Sequence, residues 1–235
     1  MPANRIKLEP ALVRRYAKKA QSHKERKIVC KILIVCEGEV TEPKYFEAFK
    51  TFNHGTTVYD IDVQGLGKNT INVVDKAIEL KNNSEYDRVW AVFDKDSFPD
   101  EKFNTAIFKA ADNDICCAWS NEAFELWYLY HFVYRDTAMS RDEYKAAISS
   151  AVNNSPKYKE KKPYVYKKNA DNNYHIMTTY GSMDNAIKYA EAKSEEYTDK
   201  RYATHNPCTM VFKLVRQLIG KDEELNAELK DKIDK

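Results

Sequence analysis

The sequence lacks several features that mark specialised classes of protein. Its five cysteines form no C-x-x-C pair, so we interpret them as small buried hydrophobic residues in a reducing compartment. No stretch approaches the roughly 20 apolar residues of a membrane span. The basic N-terminus also lacks the apolar region of a signal peptide. Together these absences predict a soluble, cytoplasmic protein that does not contact a membrane.

The chain also lacks a large excess of charge of one sign, because its 38 Lys and Arg nearly balance its 36 Asp and Glu. The charges are nevertheless segregated along the chain. Residues 1–27 hold nine Lys or Arg against two Glu, whereas residues 221–235 are net acidic. A basic arm favours a polyanionic partner. With 43% hydrophobic residues over 235 positions, the chain can bury a core without disulfides or metal clips.

Short apolar runs alternate with segments of helical periodicity from residue 28 onward. The runs predict strands at 28–36, 57–64, 88–94 and 115–120, and the periodic segments predict helices at 42–52, 69–80, 101–111 and 121–132. This alternation predicts an α/β fold with a mostly parallel four-stranded sheet and flanking helices. Sites in open sheets of this kind form outside the carboxyl ends of the strands.

The second half of the chain is predicted to be a helical subdomain. Helical patterns cover residues 140–152, 183–198 and 207–219, and the intervening residues 153–182 are rich in Asn, Lys, Pro and Tyr with little periodicity. A loop of that length is usually functional or disordered. The predicted organisation is a basic arm at 1–27, an α/β core at 28–135, a helical subdomain at 136–220 with an insertion at 153–182, and an acidic tail at 221–235.

Carboxylates follow three of the predicted strands. They are Glu37, Glu39 and Glu42 after the first strand, Asp94 and Asp96 after the third, and Glu122 and Glu125 after the fourth. Side chains two apart in an extended chain share a side, and side chains three apart on a helix share a face. If the strands are neighbours, the acids converge and repel one another unless a cation joins them. Mg²⁺ or Mn²⁺ would suit such oxygen ligands. The alternative is that single acids only cap the following helices.

Lysines and tyrosines in two segments are candidate contacts for nucleic acid. Lys68 lies in "GLGKNT", where an anion contact competes with a plain turn, because the spacing is too short for a P-loop. The segment "SPKYKEKKPYVYKK" at 155–168 holds six Lys and three Tyr. Its lysines could neutralise phosphates and its tyrosines could stack on unpaired bases, or the segment could be a solvated loop. The candidates in it are Lys157, Lys159, Lys161, Lys162, Tyr164 and Tyr166.

Four blocks of the sequence resemble the signature blocks of the RloB-like family of bacterial phage-defence proteins. They are "ILIVCEGEVTEPKYF", "VWAVFDKDSFP", "WSNEAFELWYLYHF" and "NPCTMVFKLVRQL". The resemblance spans about residues 28–220. It implies a role in abortive infection, in some cases beside an ATPase partner encoded nearby. It leaves open whether the chain forms a homo-oligomer.

Two of these blocks also resemble a TOPRIM domain, a Rossmann-like fold found in topoisomerases, primases and OLD-type nucleases. Glu37 and Gly38 match its Glu-Gly, Asp94 and Asp96 match its Asp-x-Asp, and "EGEVTE" is similar to the OLD form that would add Glu42. The resemblance implies that Asp94 and Asp96 hold Mg²⁺ and that Glu37 is a ligand or the general base. Glu42 or Glu125 could then complete a second metal position.

The resemblance implies metal-dependent cutting or joining of phosphodiesters. Because the chain lacks the tyrosine domain of a topoisomerase and the zinc motif of a primase, a nuclease is the function that we expect. By analogy with other defence nucleases, its target could be tRNA, another RNA or DNA. Two alternatives stay open: a non-catalytic sensor or adaptor that binds nucleic acid or a partner, and a phosphotransferase or nucleotidyl-processing enzyme using the same acids.

Overall fold

The computed structural model describes residues 28–51, 57–67, 70–96 and 98–231. The predicted basic arm at 1–27 and Lys68 therefore lie outside the described residues.

The strands are β1 (Ile28–Cys36), β2 (Thr57–Gly65), β3 (Arg88–Asp94), β4 (Cys116–Asn121) and β5 (Cys208–Thr209). The helices are α1 (Thr41–Glu47), α2 (Thr70–Asn83), α3 (Asp100–Ala111), α4 (Glu125–Tyr130), α5 (Arg141–Asn153), α6 (Asn173–Tyr180), α7 (Met183–Glu195), α8 (Val211–Leu218) and α9 (Glu223–Asp231), with short 3₁₀ turns at Ala48–Thr51 and Tyr202–Thr204.

The strands form one mostly parallel sheet in the order β2-β1-β3-β4-β5. The first four strands pair in parallel, as predicted, and β5 pairs antiparallel with β4. The prediction of four strands was therefore one short. A two-residue strand such as β5 has no room for an alternating pattern, and its residues fell inside the predicted helix 207–219.

Strand β1 lies inside the sheet and is covered on both faces. Ile32, Leu33, Ile34 and Val35 have no exposed surface, as expected for a parallel strand with helices on both sides. Because side chains alternate along a strand, Ile32 and Ile34 enter one apolar core, and Leu33 and Val35 enter the other.

The two cores differ in which helices cover them. The core containing Leu33 is covered by α2 and α3. The core containing Ile34 is covered by α1, by α4 and by the helices of the C-terminal half, which contribute Ile148, Met177 and Leu214 among others. The helices of the predicted C-terminal subdomain thus share one apolar core with this face of the sheet.

Several predicted segments have different bounds or a different structure. The helix predicted at 121–132 is shorter, because α4 begins at Glu125 and leaves Glu122 in the preceding connection. The insertion at 153–182 contains the helix α6. The predicted tail at 221–235 contains α9, whose Leu225 and Leu229 are buried.

The cysteines follow the prediction only in part. All five are free thiols, and Cys30, Cys36 and Cys208 are buried. Cys116 and Cys117 are half-buried instead, because they begin β4 at the edge of the core. Among the described helices, none combines the length and the apolar character needed to cross a bilayer.

Candidate functional site

The candidate site lies where the chain direction across the sheet reverses. From β1 the chain passes to β2 on one side, and it then crosses back to place β3 on the other side of β1. Such a topological switch point leaves a crevice at the carboxyl ends of the two central strands. Glu37 directly follows β1, and Asp94 is the last residue of β3. The sequence-predicted acids therefore stand at the position where this fold forms its crevice.

The turn that carries Glu37 is held by backbone contacts on both sides. The Glu37 N–H donates to Val92 O at 2.8 Å, and the Glu37 carbonyl accepts from Gly67 N at 2.8 Å. Gly65 packs so closely on this turn that a Cβ there would lie 2.7 Å from Gly38 O. The glycines of "GLGKNT" thus support the acidic turn through close packing, which periodicity in the sequence could not reveal.

Asp94 and Asp96 meet on one guanidinium. Arg141 Nη1 donates to Asp96 Oδ2 at 2.5 Å, and Arg141 Nη2 donates to Asp94 Oδ2 at 3.2 Å. The strand ends at Asp94, and Asp96 sits in a turn with a φ of +40°. The two carboxylates are therefore brought together by a turn and a shared cation, and the extended-chain argument made from the sequence does not apply to them.

Glu42 and Glu125 are as deeply buried as Asp94, with 5% and 4% of their surface exposed against 5% for Asp94. Glu42 lies in the first turn of α1, and its Oε2 sits directly over Gly38, where a Cβ would overlap it. Glu125 begins α4 and accepts at Oε1 from the Tyr166 hydroxyl at 3.2 Å. The Oε2 atoms of both residues are buried without a hydrogen-bond partner.

A cleft of about 410 Å³ opens over these residues. Its lining includes Glu37, Glu42, Asp94, Asp96 and Arg141. Lys168 and Asn169, in the middle of the insertion, also line the cleft, and the Thr41 hydroxyl donates to the backbone carbonyl of Lys168 at 3.2 Å. Lys168 Nζ also lies 3.9 Å from Glu125 Oε1. The insertion therefore brings a second cation to the acidic cleft.

Burial and mutual repulsion disfavour the charged forms of these acids. Burial raises the pKa of Glu37 to about 7, and the Asp94 N–H that donates to Glu37 Oε2 at 3.2 Å only partly offsets this. Burial, followed by the charges of Glu42 and Glu125, raises the pKa of Asp94 well above its usual range. Burial also raises the pKa of Glu42. The group of acids therefore carries an electrostatic penalty that a further cation would relieve.

The carboxylate oxygens of the cleft are chemically suited to a hard divalent cation. Their positions in the structure fit such an ion less well. The acids offer carboxylate oxygens, the ligands that Mg²⁺ and Mn²⁺ prefer, and two of those oxygens are buried without partners. Within the part of the chain that the structure describes, no three His, Cys, Asp or Glu side chains are positioned to hold a metal ion together. The cation that these acids contact in the structure is Arg141, whose guanidinium pairs with one oxygen of Asp94 and one of Asp96.

The predicted nucleic-acid residues are divided between the surface and the interior. Lys159, Lys161 and Lys162 are exposed. Tyr166 is buried at 2% exposure with its hydroxyl on Glu125, so its ring cannot stack on bases in this arrangement.

Two other predicted contacts are engaged with the protein itself. Lys157 Nζ donates to Gly181 O at 2.7 Å. Tyr164 is half-buried, and its hydroxyl donates to Asn173 Oδ1 at 3.3 Å. The exposed lysines are therefore the better candidates for a nucleic-acid contact.

Arg141 and Lys168 are the site residues that sequence reasoning missed. Arg141 opens a helix behind Ser140, which forms a capping box with Glu143, and in the sequence it reads as an ordinary surface residue. Lys168 ends the Lys-rich segment and was not distinguished from its neighbours. A helix-capping signal placed just before Arg141 was present, but it carried no information about the direction of the side chain.

Fold and site together define an α/β protein with an acidic cleft at the switch point of a mostly parallel sheet. The family described as RloB-like protein matches residues 32–218. Because this match covers most of the chain and every residue of the cleft, the chain belongs to the RloB-like family. No curated protein and no solved structure shows significant similarity to it.

Proposed function

We propose that this chain is a TOPRIM-like nuclease that depends on Mg²⁺ or Mn²⁺ and acts on nucleic acid in anti-phage defence. The observation that carries the proposal is the convergence of Glu37, Glu42, Asp94 and Glu125 at one switch point, with two buried carboxylate oxygens that lack partners. Such a concentration of buried acids destabilises the fold, and acids whose pKa values are raised in this way cluster at functional sites.

Asp94, Asp96, Glu42 and Glu125 would hold the ion in this proposal. A bound divalent ion would neutralise the scissile phosphate and stabilise the charge that develops on it. Glu37 is suited to take the proton of the attacking water, because a pKa of about 7 allows it both to accept and to release a proton at neutral pH. The Asp94 N–H orients the Glu37 carboxylate through its hydrogen bond to Oε2.

The cations at the cleft suit a phosphodiester substrate. Arg141 and Lys168 both line it, and a guanidinium and an ammonium are the side chains that bind phosphate most often. The exposed lysines of the insertion would continue this basic path away from the site. RNA, including tRNA, and DNA fit this description equally. The proposal also includes an ATPase partner and a cytoplasmic location.

A cleavage assay with matched variants tests the proposal. Purified protein is incubated with tRNA, single-stranded DNA and duplex DNA in Mg²⁺, Mn²⁺ or EDTA. We expect cleavage with either metal and none in EDTA, and a loss of about 100-fold or more in Asp94→Asn and in Glu37→Gln. Asp100→Asn is the control, because Asp100 is an exposed acid that pairs with Lys95 outside the cleft. Full activity in EDTA, or in Asp94→Asn, would contradict the proposal.

One observation favours a non-catalytic sensor or adaptor as the second candidate. Arg141 already compensates Asp94 and Asp96 within the protein, so the acids could serve as a structural ion-pair network. Expression in cells separates the two functions. A nuclease arrests growth in the wild type but not in Glu37→Gln, and sequencing of total RNA and DNA ends then identifies the cut sites. A sensor binds nucleic acid or a partner without producing new ends.

A further inference from the structure

Arg141 has an unusual position for a residue at the start of a surface helix. The capping box of Ser140 and Glu143 fixes the backbone of α5 at this point. The side chain extends away from the cap and ends between Asp94 Oδ2 and Asp96 Oδ2. The guanidinium donates one hydrogen bond to each of these carboxylates, and its buried Nε–H has no partner.

The contact is accessible from the cleft. The Arg141 side chain is 38% exposed, and Asp96 is exposed to the same extent, whereas only 7% of the Asp94 side chain is exposed. The ion pair thus covers the buried acid with a cation that borders solvent. Because more than a third of the Arg141 side chain borders solvent, the guanidinium has an open path away from the two carboxylates.

Arg141 and a divalent ion would need the same oxygens. Arg141 Nη2 is 3.2 Å from Asp94 Oδ2, and Nη1 is 2.5 Å from Asp96 Oδ2. An ion ligated by these atoms at about 2.1 Å would lie within a few ångströms of the guanidinium, where two positive charges repel strongly in a partly buried site. Glu42 and Glu125 supply the second observation, since each has a buried oxygen without a partner and carries a charge that acts on Asp94.

We propose that Arg141 is the resident counter-cation of Asp94 and Asp96 and that a divalent ion loads the site only by displacing its guanidinium. Arg141 is therefore a positioning residue that sets the affinity of the site for metal and keeps the acids together before the ion arrives. This inference rests on the proposed metal-dependent function and deepens it. No covalent step is involved, because only ligand exchange takes place.

Direct binding of Mn²⁺, followed by electron paramagnetic resonance without substrate, tests the exchange. We expect Arg141→Gln to bind Mn²⁺ about tenfold more tightly than the wild type, because a competing positive charge is gone. Arg141→Lys keeps the charge and should stay within about threefold of the wild type. Arg135→Gln is the control, because Arg135 donates to Thr137 O in an exposed loop away from the acids.

The outcomes separate this inference from the proposed function. Equal Mn²⁺ affinity in the wild type and Arg141→Gln would overturn the exchange and leave the metal-dependent function standing. Weaker binding in Arg141→Gln would make Arg141 a supporting residue and would also overturn the exchange. Absence of Mn²⁺ binding in every variant would overturn both.

A second measurement follows metal binding in the wild-type protein and covers the case in which Arg141→Gln does not fold. The guanidinium ¹⁵N signals are recorded as diamagnetic Mg²⁺ is added, with the Arg141 signal assigned from the spectrum of Arg141→Lys. We expect the Arg141 signal to move toward the position of a solvent-exposed arginine as the ion binds. An Arg141 signal that keeps its position while other residues of the cleft report binding would overturn the exchange.

Discussion

The Asp94 N–H donates a hydrogen bond to Glu37 Oε2 at 3.2 Å, so the ends of the two central strands are joined by a carboxylate. Glu37 is the residue after β1, and its own N–H donates to Val92 O in β3. The backbone and the side chain of Glu37 thus both bond to β3, and these contacts hold Glu37 next to Asp94. This contact makes Glu37 the most informative position for testing how the site affects the stability of the fold.

Replacement of Glu37 by Gln should weaken the pH dependence of stability. In the folded protein the pKa of Glu37 is about 7, because burial disfavours its charged form. The folded state therefore holds more protons than the unfolded state between about pH 4.5 and 7, and stability falls as pH rises through that window. After allowance for solvent screening, we expect Glu37 to account for about 1–2 kcal/mol of that fall. Urea unfolding of the wild type and Glu37→Gln in EDTA at pH 5 and pH 8 measures this change in the free energy of unfolding.

The control for this experiment is Glu39→Gln, an exposed acid in the same turn. Its stability should follow the wild type at both pH values. Asp94 and Glu42 also have raised pKa values, so Glu37→Gln should retain part of the pH dependence. Identical pH dependence in Glu37→Gln and the wild type would contradict the assignment of this penalty to Glu37.

Replacement of Glu42 by Gln should stabilise the metal-free protein and weaken its response to Mg²⁺. The substitution removes a buried negative charge whose Oε2 has no partner. We expect a gain of about 1 kcal/mol in EDTA. A ligand that binds only the folded state raises the free energy of unfolding by about 2.7 kcal/mol at 100 times its Kd. Glu42→Gln should lose most of this stabilisation by Mg²⁺. Thermal unfolding with and without Mg²⁺ gives both quantities.

Glu47→Gln is the matched control, because Glu47 is an exposed acid at the other end of α1. It should behave as the wild type in EDTA and in Mg²⁺. If Mg²⁺ raises the melting temperature of Glu42→Gln as much as that of the wild type, Glu42 does not take part in the metal site.

Replacement of Gly65 by Ala should destabilise the acidic turn through overpacking. The new Cβ would lie 2.7 Å from Gly38 O and 2.9 Å from Glu39 Cα, both of which are backbone atoms. Backbone cannot move aside as a flexible side chain can, so we expect a loss of about 1–3 kcal/mol. Gln64→Ala, one residue earlier in β2, is the comparison in urea unfolding. A Gly65→Ala variant as stable as Gln64→Ala would show that the turn can shift at little cost.

The exposed lysines of the insertion should contribute to nucleic-acid affinity, and Tyr166 should not. We expect the triple replacement of Lys159, Lys161 and Lys162 by Ala to weaken binding of a fluorescent single-stranded RNA and to lower the slope of log affinity against log salt by about 2. Tyr166→Phe should leave RNA affinity unchanged, because the ring is buried. Both are measured in the Asp94→Asn background, which prevents cleavage. A large loss of RNA affinity in Tyr166→Phe would contradict this assignment.

Much of the architecture could be predicted from local patterns. The strand at 88–94 has the predicted bounds, and the helices at 101–111 and 140–152 differ from α3 and α5 by one residue at one or both ends. These segments combine a clear periodicity with turn or capping residues at their ends, so local preference and tertiary packing agree. Segments without such agreement were missed, including β5 and α6.

The composition of the site was only partly predictable. The acids could be found because each lies at or shortly after the end of a strand, and the ends of parallel strands meet at one edge. Arg141 lies 47 residues beyond Asp94 along the chain, and nothing local in the sequence joins the two. Tyr166 was a candidate nucleic-acid contact because it lies in a segment rich in lysine and tyrosine, yet it is buried and its hydroxyl donates to Glu125.

Local sequence patterns specify the alternation of strands and helices and the placement of carboxylates at the strand ends, because both follow from the order of residues along a short length of chain. The charges that compensate those carboxylates are set by packing between distant segments. Arg141 reaches the acids because α5 packs on α4, and Lys168 reaches them because the insertion contacts Thr41 and Glu125. Electrostatic compensation depends on distances across the fold, and the order of residues does not encode such distances directly.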